Sequence, residues 1–217
     1  YPQTRSYVGV WDGSFKVAWS DNPAWCFYDL VTNSRYGLGS YIAASQVDKW
    51  ALYRVAKYCD ELVPDGHGGY EPRFTCNLYL QTREQAYKVV QDMASIFRGL
   101  AYWAGGSITV TQDAPQDPVY QFTAANVVEG DFSYQGSSAK TRHTVALVTW
   151  CDPDDFYRQK VEYVEDMSGI ARYGVVQADV VAFGCTSRGQ ANRVGKWLLY
   201  SEQSESEIVT FRTGLED

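Results

Sequence analysis

The sequence lacks the features that mark membrane-spanning, disulfide-stapled and zinc-binding proteins. No apolar run reaches the length of about 18 residues that a membrane helix needs, so we expect no transmembrane segment. The five cysteines are widely spaced and include no Cys-x-x-Cys pair. We therefore expect free, mostly buried thiols rather than disulfides or a zinc site.

Positive charge is also scarce. The chain has 26 Asp and Glu against 19 Lys and Arg, which gives a formal net charge of -7. A protein that grips duplex DNA needs a basic face, so we expect no specific nucleic-acid binding. The acidic residues gather late in the chain, in segments 152–166 and 202–207.

Aromatic residues, in contrast, are abundant: the chain has 17 Tyr, 9 Phe and 7 Trp. Either they fill an aromatic-rich core, or some lie at interfaces, where Tyr and Trp supply contact area at low entropic cost. For the interface reading we select the tyrosines of predicted loops: Tyr36, Tyr41, Tyr70 and Tyr157. The chain begins with Tyr1 rather than Met and carries no recognisable signal peptide, so we expect a fragment of a longer, non-secreted protein.

The hydrophobic periodicity predicts an α+β fold with mixed or antiparallel sheets and about four helices. Asp-Gly at 12–13 predicts a first hairpin, Gly-Gly at 105–106 predicts a second, and 73–80 alternates as a strand. Further strands are predicted within 131–134, 143–150, 160–164, 175–183 and 207–213. Composition shifts from helix-rich to strand-rich near Val128, which suggests lobes at 1–127 and 128–217.

Polar residues at predicted helix starts are interpreted as structural caps. Asn22 precedes Pro23, and the pairs Ser45/Asp48, Thr82/Gln85 and Ser187/Gln190 resemble capping boxes. The segment GCTSRGQA, which contains Cys185 and Arg188, lacks the Lys-Ser/Thr end of a phosphate-binding loop. We therefore interpret it as a helix start, and we expect a carboxylate near Arg188 because a cation is unfavourable at that end of a helix.

Other chemical candidates are weaker. Asp65, His67 and Glu71 lie in a Gly-rich loop (65–71), and 152–155 carries three Asp residues, but neither has the spacing of a known metal motif. Cys185 would need a base to act as a nucleophile, and His67 and His143 are the two histidines available. We therefore predict no catalytic, metal-binding or cofactor-binding residues and no enzymatic activity.

Several segments together resemble one protein family. They are TRSYVGVWDGSFKVAWSDNPAWCFYDLVTNSRYGLG, ASQVDKWALYRVAKYCDELVPDGHGGYEPRFTCNLYL, AKTRHTVALVTWCDP, VEDMSGIARYG and AFGCTSRGQANRVGKWLL. In this order they resemble the central tail-tip proteins of long-tailed, non-contractile phages, the family typified by the phage lambda tip attachment protein. The resemblance covers nearly the whole chain and is poorest over 115–138.

This resemblance implies a virion structural protein of a phage or prophage, with a fold like that of baseplate hubs. Members assemble as a homotrimer at the end of the tail tube, anchor the tape measure protein and contact other tail-tip and tail-tube proteins. They meet the host receptor through a far C-terminal part that this chain does not match. They are made in the bacterial cytoplasm, and an acidic surface would suit a tube through which DNA passes.

Two other functions stay open at this point. A tail-associated peptidoglycan or glycan hydrolase would show a cleft where a carboxylate pair or a Cys–His pair converges. A carbohydrate-binding module would present exposed tryptophans such as Trp11 or Trp103.

Overall fold

The computed structural model describes residues 4–80, 85–136 and 142–214. The helices are α1 (Pro23–Thr32), α2 (Lys49–Asp60), α3 (Ala86–Ile96), α4 (Met167–Tyr173) and α5 (Arg188–Ser204). The strands are β1 (Leu62–Pro64), β2 (Tyr70–Pro72), β3 (Gly99–Ala104), β4 (Ser107–Gln112), β5 (Ser133–Gly136), β6 (Val145–Asp152), β7 (Arg158–Glu165), β8 (Gln177–Val181) and β9 (Glu207–Thr210). This order confirms the predicted α+β class, with α4 as a helix that the sequence analysis did not predict.

Within the described residues, the strands form four small sheets. Three are antiparallel pairs, β1–β2, β3–β4 and β5–β9, and the fourth has the order β7-β6-β8. In that sheet β6 runs antiparallel to β7 and parallel to β8. The β3–β4 hairpin turns at Gly105 and Gly106, which both have positive φ, as the sequence predicts.

The first core is built by α1, α2, α3 and the β3–β4 hairpin. It consists of apolar side chains between Ala24 and Val110, with Phe27, Leu52, Phe74 and Phe97 almost completely buried. The start of α1 is tied into it by Asn22, whose side chain accepts from the Ala24 amide at 3.1 Å and donates to the Ala56 carbonyl at 2.9 Å. A residue with the predicted geometry of a cap thus also joins α1 to α2.

The second core lies between α5 and one face of the β7-β6-β8 sheet. Alternate residues of β6, including Ala146, Val148 and Trp150, point toward α5 and contact its buried residues Ala191 and Leu199. The alternation has a period of two, as expected for a strand with one covered face. The division into lobes at 127/128 stays a prediction, although each of these two cores draws on one of the proposed lobes.

Three local predictions differ from the structure or lie outside it. Ser45 does not cap α2, because it lies in a 3₁₀ turn, and Asp48 caps the helix by accepting from the amides of Trp50 and Ala51. Residues 7–20, predicted as a hairpin, and residues 73–80, predicted as a strand, contain no strand in the described part of the chain. The cap predicted at Thr82 lies outside the described residues.

Candidate assembly surfaces and the turn at Cys185

The turn before α5 is held by short-range hydrogen bonds. The Ser187 hydroxyl accepts from the Gln190 amide at 3.1 Å, which is the geometry of an N-cap. Such a cap contributes roughly 1 kcal/mol. The Cys185 thiol donates to the Ser187 carbonyl at 3.1 Å and is buried. These groups fix the path of the backbone into the helix.

Gln190 does not complete the predicted capping box. Its side-chain oxygen accepts from the Thr75 amide at 2.9 Å and the Thr75 hydroxyl at 3.1 Å, while its nitrogen donates to the Thr75 carbonyl at 3.2 Å. Gln190 is 2% exposed. The buried side-chain amide therefore satisfies the backbone groups of a residue 115 positions away, and Thr75 lies in no strand of the described chain.

Arg193 and Gly189 hold the β1–β2 hairpin against α5. The Arg193 guanidinium pairs with the Glu71 carboxylate at 2.7 Å and donates to the Arg73 carbonyl at 3.0 Å. A Cβ at Gly189 would lie 2.6 Å from the Glu71 Oε1 atom and 2.7 Å from the Asp65 carbonyl oxygen. Glycine is therefore required here by close backbone approach.

The carboxylate expected near Arg188 is that of Glu162 on β7. The Arg188 Nε atom donates to it at 2.6 Å, and the Asn192 amide donates to its second oxygen at 3.1 Å. Glu162 is 6% exposed, so this pair joins a buried carboxylate on the sheet to an exposed guanidinium on the helix. We call the contacts of Ser187, Arg188, Gln190 and Arg193 with β7 and residues 71–75 the α5 clasp.

No nucleophile arises at Cys185. Burial raises the pKa of its thiol to about 11, so the reactive thiolate is disfavoured near neutral pH. His143 is engaged elsewhere, with its Nδ1 atom 2.8 Å from the Glu202 carboxylate. His67 lies in an exposed loop, where its amide donates to the Asp65 carboxylate at 2.7 Å.

The two acidic segments considered for a cation bind protein groups instead. The Asp65 carboxylate also accepts from the Gly69 amide at 2.9 Å, and these backbone hydrogen bonds lower its pKa. Asp152 accepts from Lys160, which lowers the pKa of that carboxyl, and from the Asp154 amide. Across the described ranges, no group of three or more His, Cys, Asp or Glu side chains could hold a metal ion.

All four selected tyrosines are exposed to solvent. Tyr36, Tyr41, Tyr70 and Tyr157 have relative exposures between 63% and 87%. The Tyr36 hydroxyl donates to the Asp29 carboxylate, which raises the pKa of the phenol. Their exposure is what an interface role requires, and that role remains a proposal.

The tryptophans differ in how they are presented. Trp11 is enclosed: its ring stacks on Tyr53 at 4.9 Å and meets Trp50 edge-on at 4.9 Å. It therefore offers no open face of the kind a sugar ring stacks on. Trp103 is exposed and borders an apolar groove of about 210 Å³ together with Tyr87 and Tyr102.

Sequence analysis missed much of the apolar surface. The outer face of the β7-β6-β8 sheet, opposite α5, exposes Val161, Tyr163 and Val181. Both strands of the β5–β9 pair are exposed at every residue. The sequence of these strands could have indicated that apolar side chains lie on both faces of the sheet. Which face stays uncovered depends on contacts between distant segments.

The chain exposes more surface than its mass predicts. Its solvent-accessible area is 14,552 Å² for a mass of 24.5 kDa. A compact monomer of this mass exposes about 10,000 Å². The excess of roughly 4,500 Å² indicates a chain with much more exposed side-chain surface than a compact monomer has.

Within the described residues, no helix has the length and apolar character needed to cross a membrane.

Comparisons with known proteins point to phage tails. A family model with the description "Putative phage tail protein" matches residues 85–217. The chain is 47% identical over 215 residues to the tip attachment protein J of Escherichia phage SECphi27, and 38% identical over 216 residues to that of Escherichia phage SECphi4. These alignments cover 99% of this chain but 18% and 19% of the relatives, so the chain spans less than a fifth of their length. The chain belongs to this family of phage tail proteins.

Proposed function

We propose that this chain is a structural segment of a phage or prophage tail tip, and that it acts by assembly in the virion rather than by catalytic turnover. The observation that carries the proposal is the roughly 4,500 Å² of surface above that of a compact monomer. The exposed side chains include many large apolar and aromatic ones, such as Tyr41, Tyr87 and Trp103. Surfaces of this kind are stable in water when a partner covers them.

The finer assignments follow the family resemblance. The chain belongs to the hub, which is a homotrimer, and it contacts tail-tip, tail-tube and tape measure proteins. The host receptor is met by another part of the polypeptide, and two relatives are named for tip attachment. The protein is made in the host cytoplasm. Tyr36, Tyr41, Tyr70 and Tyr157 are the proposed interface residues.

The site chemistry supports assembly over hydrolysis. A hydrolase needs a carboxylate pair or a Cys–His pair facing an open cleft. The polar residues that the sequence offers for such a role make structural contacts instead: Cys185 donates within its turn, Glu71 pairs with Arg193, and His143 binds Glu202.

The direct test is the mass in solution of the chain and of a longer polypeptide that carries it, measured by light scattering over a range of concentrations. We expect the longer polypeptide to have the mass of three copies. A longer polypeptide that stays monomeric at the highest concentration contradicts the proposal. So does a glycan- or peptidoglycan-cleaving activity that is lost when Cys185 or His67 is replaced without loss of folding.

A further inference from the structure

Two of the five cysteines lie side by side. All five carry free thiols, and the thiols of Cys26 and Cys76 are joined by a hydrogen bond. Cys76 is the donor in this bond, and the Cys26 thiol in turn donates to the Ser20 carbonyl at 3.5 Å. Two thiols that are far apart in the sequence therefore meet in the folded chain.

The backbone holds both cysteines at the start of α1. Cys26 lies in the first turn of the helix, where its amide donates to the Asn22 carbonyl at 3.0 Å. The Cys76 amide donates to the carbonyl of the preceding residue, Asp21, at 2.7 Å. The two cysteines are thus anchored to adjacent residues, so their contact does not depend on the rotamers of long side chains.

The two thiols differ in exposure and in acidity. Cys26 is half-buried, whereas Cys76 is 6% exposed and belongs to the first core. The hydrogen bond from Cys76 lowers the pKa of Cys26, and it outweighs burial and the carboxylates of Asp21 and Asp29, which raise that pKa. The same hydrogen bond and burial raise the pKa of Cys76. The reactive thiolate is therefore favoured at the more accessible member of the pair.

The surroundings of Cys76 connect the pair to the second half of the chain. The next residue, Asn77, donates through its amide to the Gly184 carbonyl at 2.9 Å and through its side chain to the Thr186 hydroxyl at 3.1 Å. A Cβ at Gly184 would lie 3.6 Å from the Cys76 Sγ atom. The Cys76 sulfur therefore lies between α1 and the turn that leads into α5.

We propose that Cys26 and Cys76 are a redox pair that hydrogen peroxide converts into a disulfide. The Cys26 thiolate attacks one peroxide oxygen: an S–O bond forms, the O–O bond breaks, and the leaving hydroxide takes up a proton to become water. The Cys76 thiol then attacks the sulfenic acid at Cys26: the S–S bond forms, the S–O bond breaks, and the thiol proton leaves with the hydroxyl group as a second water. The two thiols lose two electrons, and the peroxide gains them.

The setting for this reaction rests on the proposed function. Thiols are kept reduced in the cytosol, whereas disulfides persist outside the cell. A virion protein made in the cytoplasm passes from the first environment to the second. The disulfide would close a loop of about 50 residues, which stabilises the fold by restricting the unfolded chain. The chain would therefore become more stable after it leaves the host.

The experiment treats the folded, freshly reduced chain with an equimolar amount of hydrogen peroxide. The remaining thiols are alkylated with iodoacetamide in urea, and the peptides are mapped by mass spectrometry with and without reduction. We expect peptides linked through Cys26 and Cys76, with Cys59 and Cys185 still alkylated because burial raises the pKa of both. The chain unfolded in urea is the matched control. It should form this link at least about tenfold more slowly, because its thiols are not held together.

Two variants provide a second measurement. Cys76→Ala removes the hydrogen-bond donor, whereas Cys59→Ala changes another buried thiol of the same core and leaves the pair intact. In Cys76→Ala we expect the pKa of Cys26, measured from the pH dependence of its alkylation rate, to rise. The sulfenic acid at Cys26 should persist in this variant and react with dimedone. Cys59→Ala should form the disulfide as the parent does, and the disulfide should raise the melting temperature by about 4–10 °C.

The outcomes decide this proposal separately from the assembly proposal. The redox pair is overturned if every thiol can still be alkylated after peroxide treatment, if other cysteines or two copies become linked, or if the folded and unfolded chains react equally fast. An unchanged pKa of Cys26 in Cys76→Ala also overturns it. If Cys76→Ala does not fold, the peptide map of the parent decides. A longer polypeptide that forms the disulfide but stays monomeric overturns assembly and leaves the redox pair standing.

Discussion

Replacing Gly189 by alanine tests the α5 clasp, because the clasp reverses the sign of the expected change in the free energy of unfolding. In most helices this substitution stabilises by about 1 kcal/mol, because alanine restricts the unfolded chain and favours the helix. At Gly189 the new methyl group would lie 2.7 Å from the Asp65 carbonyl oxygen and 3.0 Å from the Asp65 Cα atom. These are backbone atoms, which cannot move aside by a change of rotamer.

The magnitude follows from two opposing effects. Overpacking of this kind costs about 1–3 kcal/mol, and displacement of the Glu71 carboxylate also weakens its 2.7 Å pair with Arg193. After subtraction of the helix-propensity gain, we expect a net loss of about 1–2 kcal/mol. For a chain of 217 residues this lowers the melting temperature by about 2–8 °C.

The assay is urea unfolding followed by tryptophan fluorescence, with thermal unfolding followed by circular dichroism. Lys196→Ala, at an exposed position of the same helix, is the matched control and should change the unfolding free energy by less than about 0.5 kcal/mol. A Gly189→Ala variant that is as stable as the parent, or more stable, would refute the close approach of the β1–β2 hairpin to α5.

Three further predictions concern the same region. Gln190→Ala should lower the unfolding free energy in urea by about 2–3 kcal/mol, because Thr75 is left with unsatisfied backbone groups; a loss below about 0.5 kcal/mol would contradict the hydrogen bonds described. Because burial raises the pKa of Cys185 from 9.0 to about 11, its stabilising contribution is complete below pH 9 and is lost as the pH rises through 11. Cys185→Ala should flatten the decline of the unfolding free energy over that window, and an unchanged slope would count against a buried thiol. Arg188→Ala should be more destabilising than Arg188→Ala combined with Glu162→Gln, because the double variant leaves no unpaired buried carboxylate; equal losses in a double-mutant comparison would contradict the pair.

The parts of the fold that sequence reasoning could predict are those fixed by neighbours in the chain. The Gly-Gly hairpin at 105–106 and the start of α5 at Ser187 each depend on a few consecutive residues. The identity of the α5 partners could not be predicted in this way. The sequence predicted that a carboxylate lies near Arg188, because a cation is unfavourable at a helix N-terminus, but it did not predict which residue supplies that carboxylate.

The errors have a common physical origin in long-range contacts. Residues 73–80 alternate like a strand, yet their amides bond one by one to distant carbonyls: Phe74 to Cys59, Cys76 to Asp21 and Asn77 to Gly184. No periodic pattern reveals partners scattered in this way. The predicted cap at Ser45 was wrong because Asp48, expected as the second member of the capping box, is itself the cap, and its carboxylate reaches two helix amides.

The α5 clasp has a consequence for biosynthesis. Ser187 bonds to Glu71 across 116 positions and Gln190 bonds to Thr75 across 115, so these contacts need residues from near the end of the chain. While the ribosome is still translating the middle of the sequence, the segment around Glu71 and Thr75 has no helix to bind. The final packing of the earlier half is therefore delayed until α5 has emerged, which places it late in the folding of a nascent polypeptide.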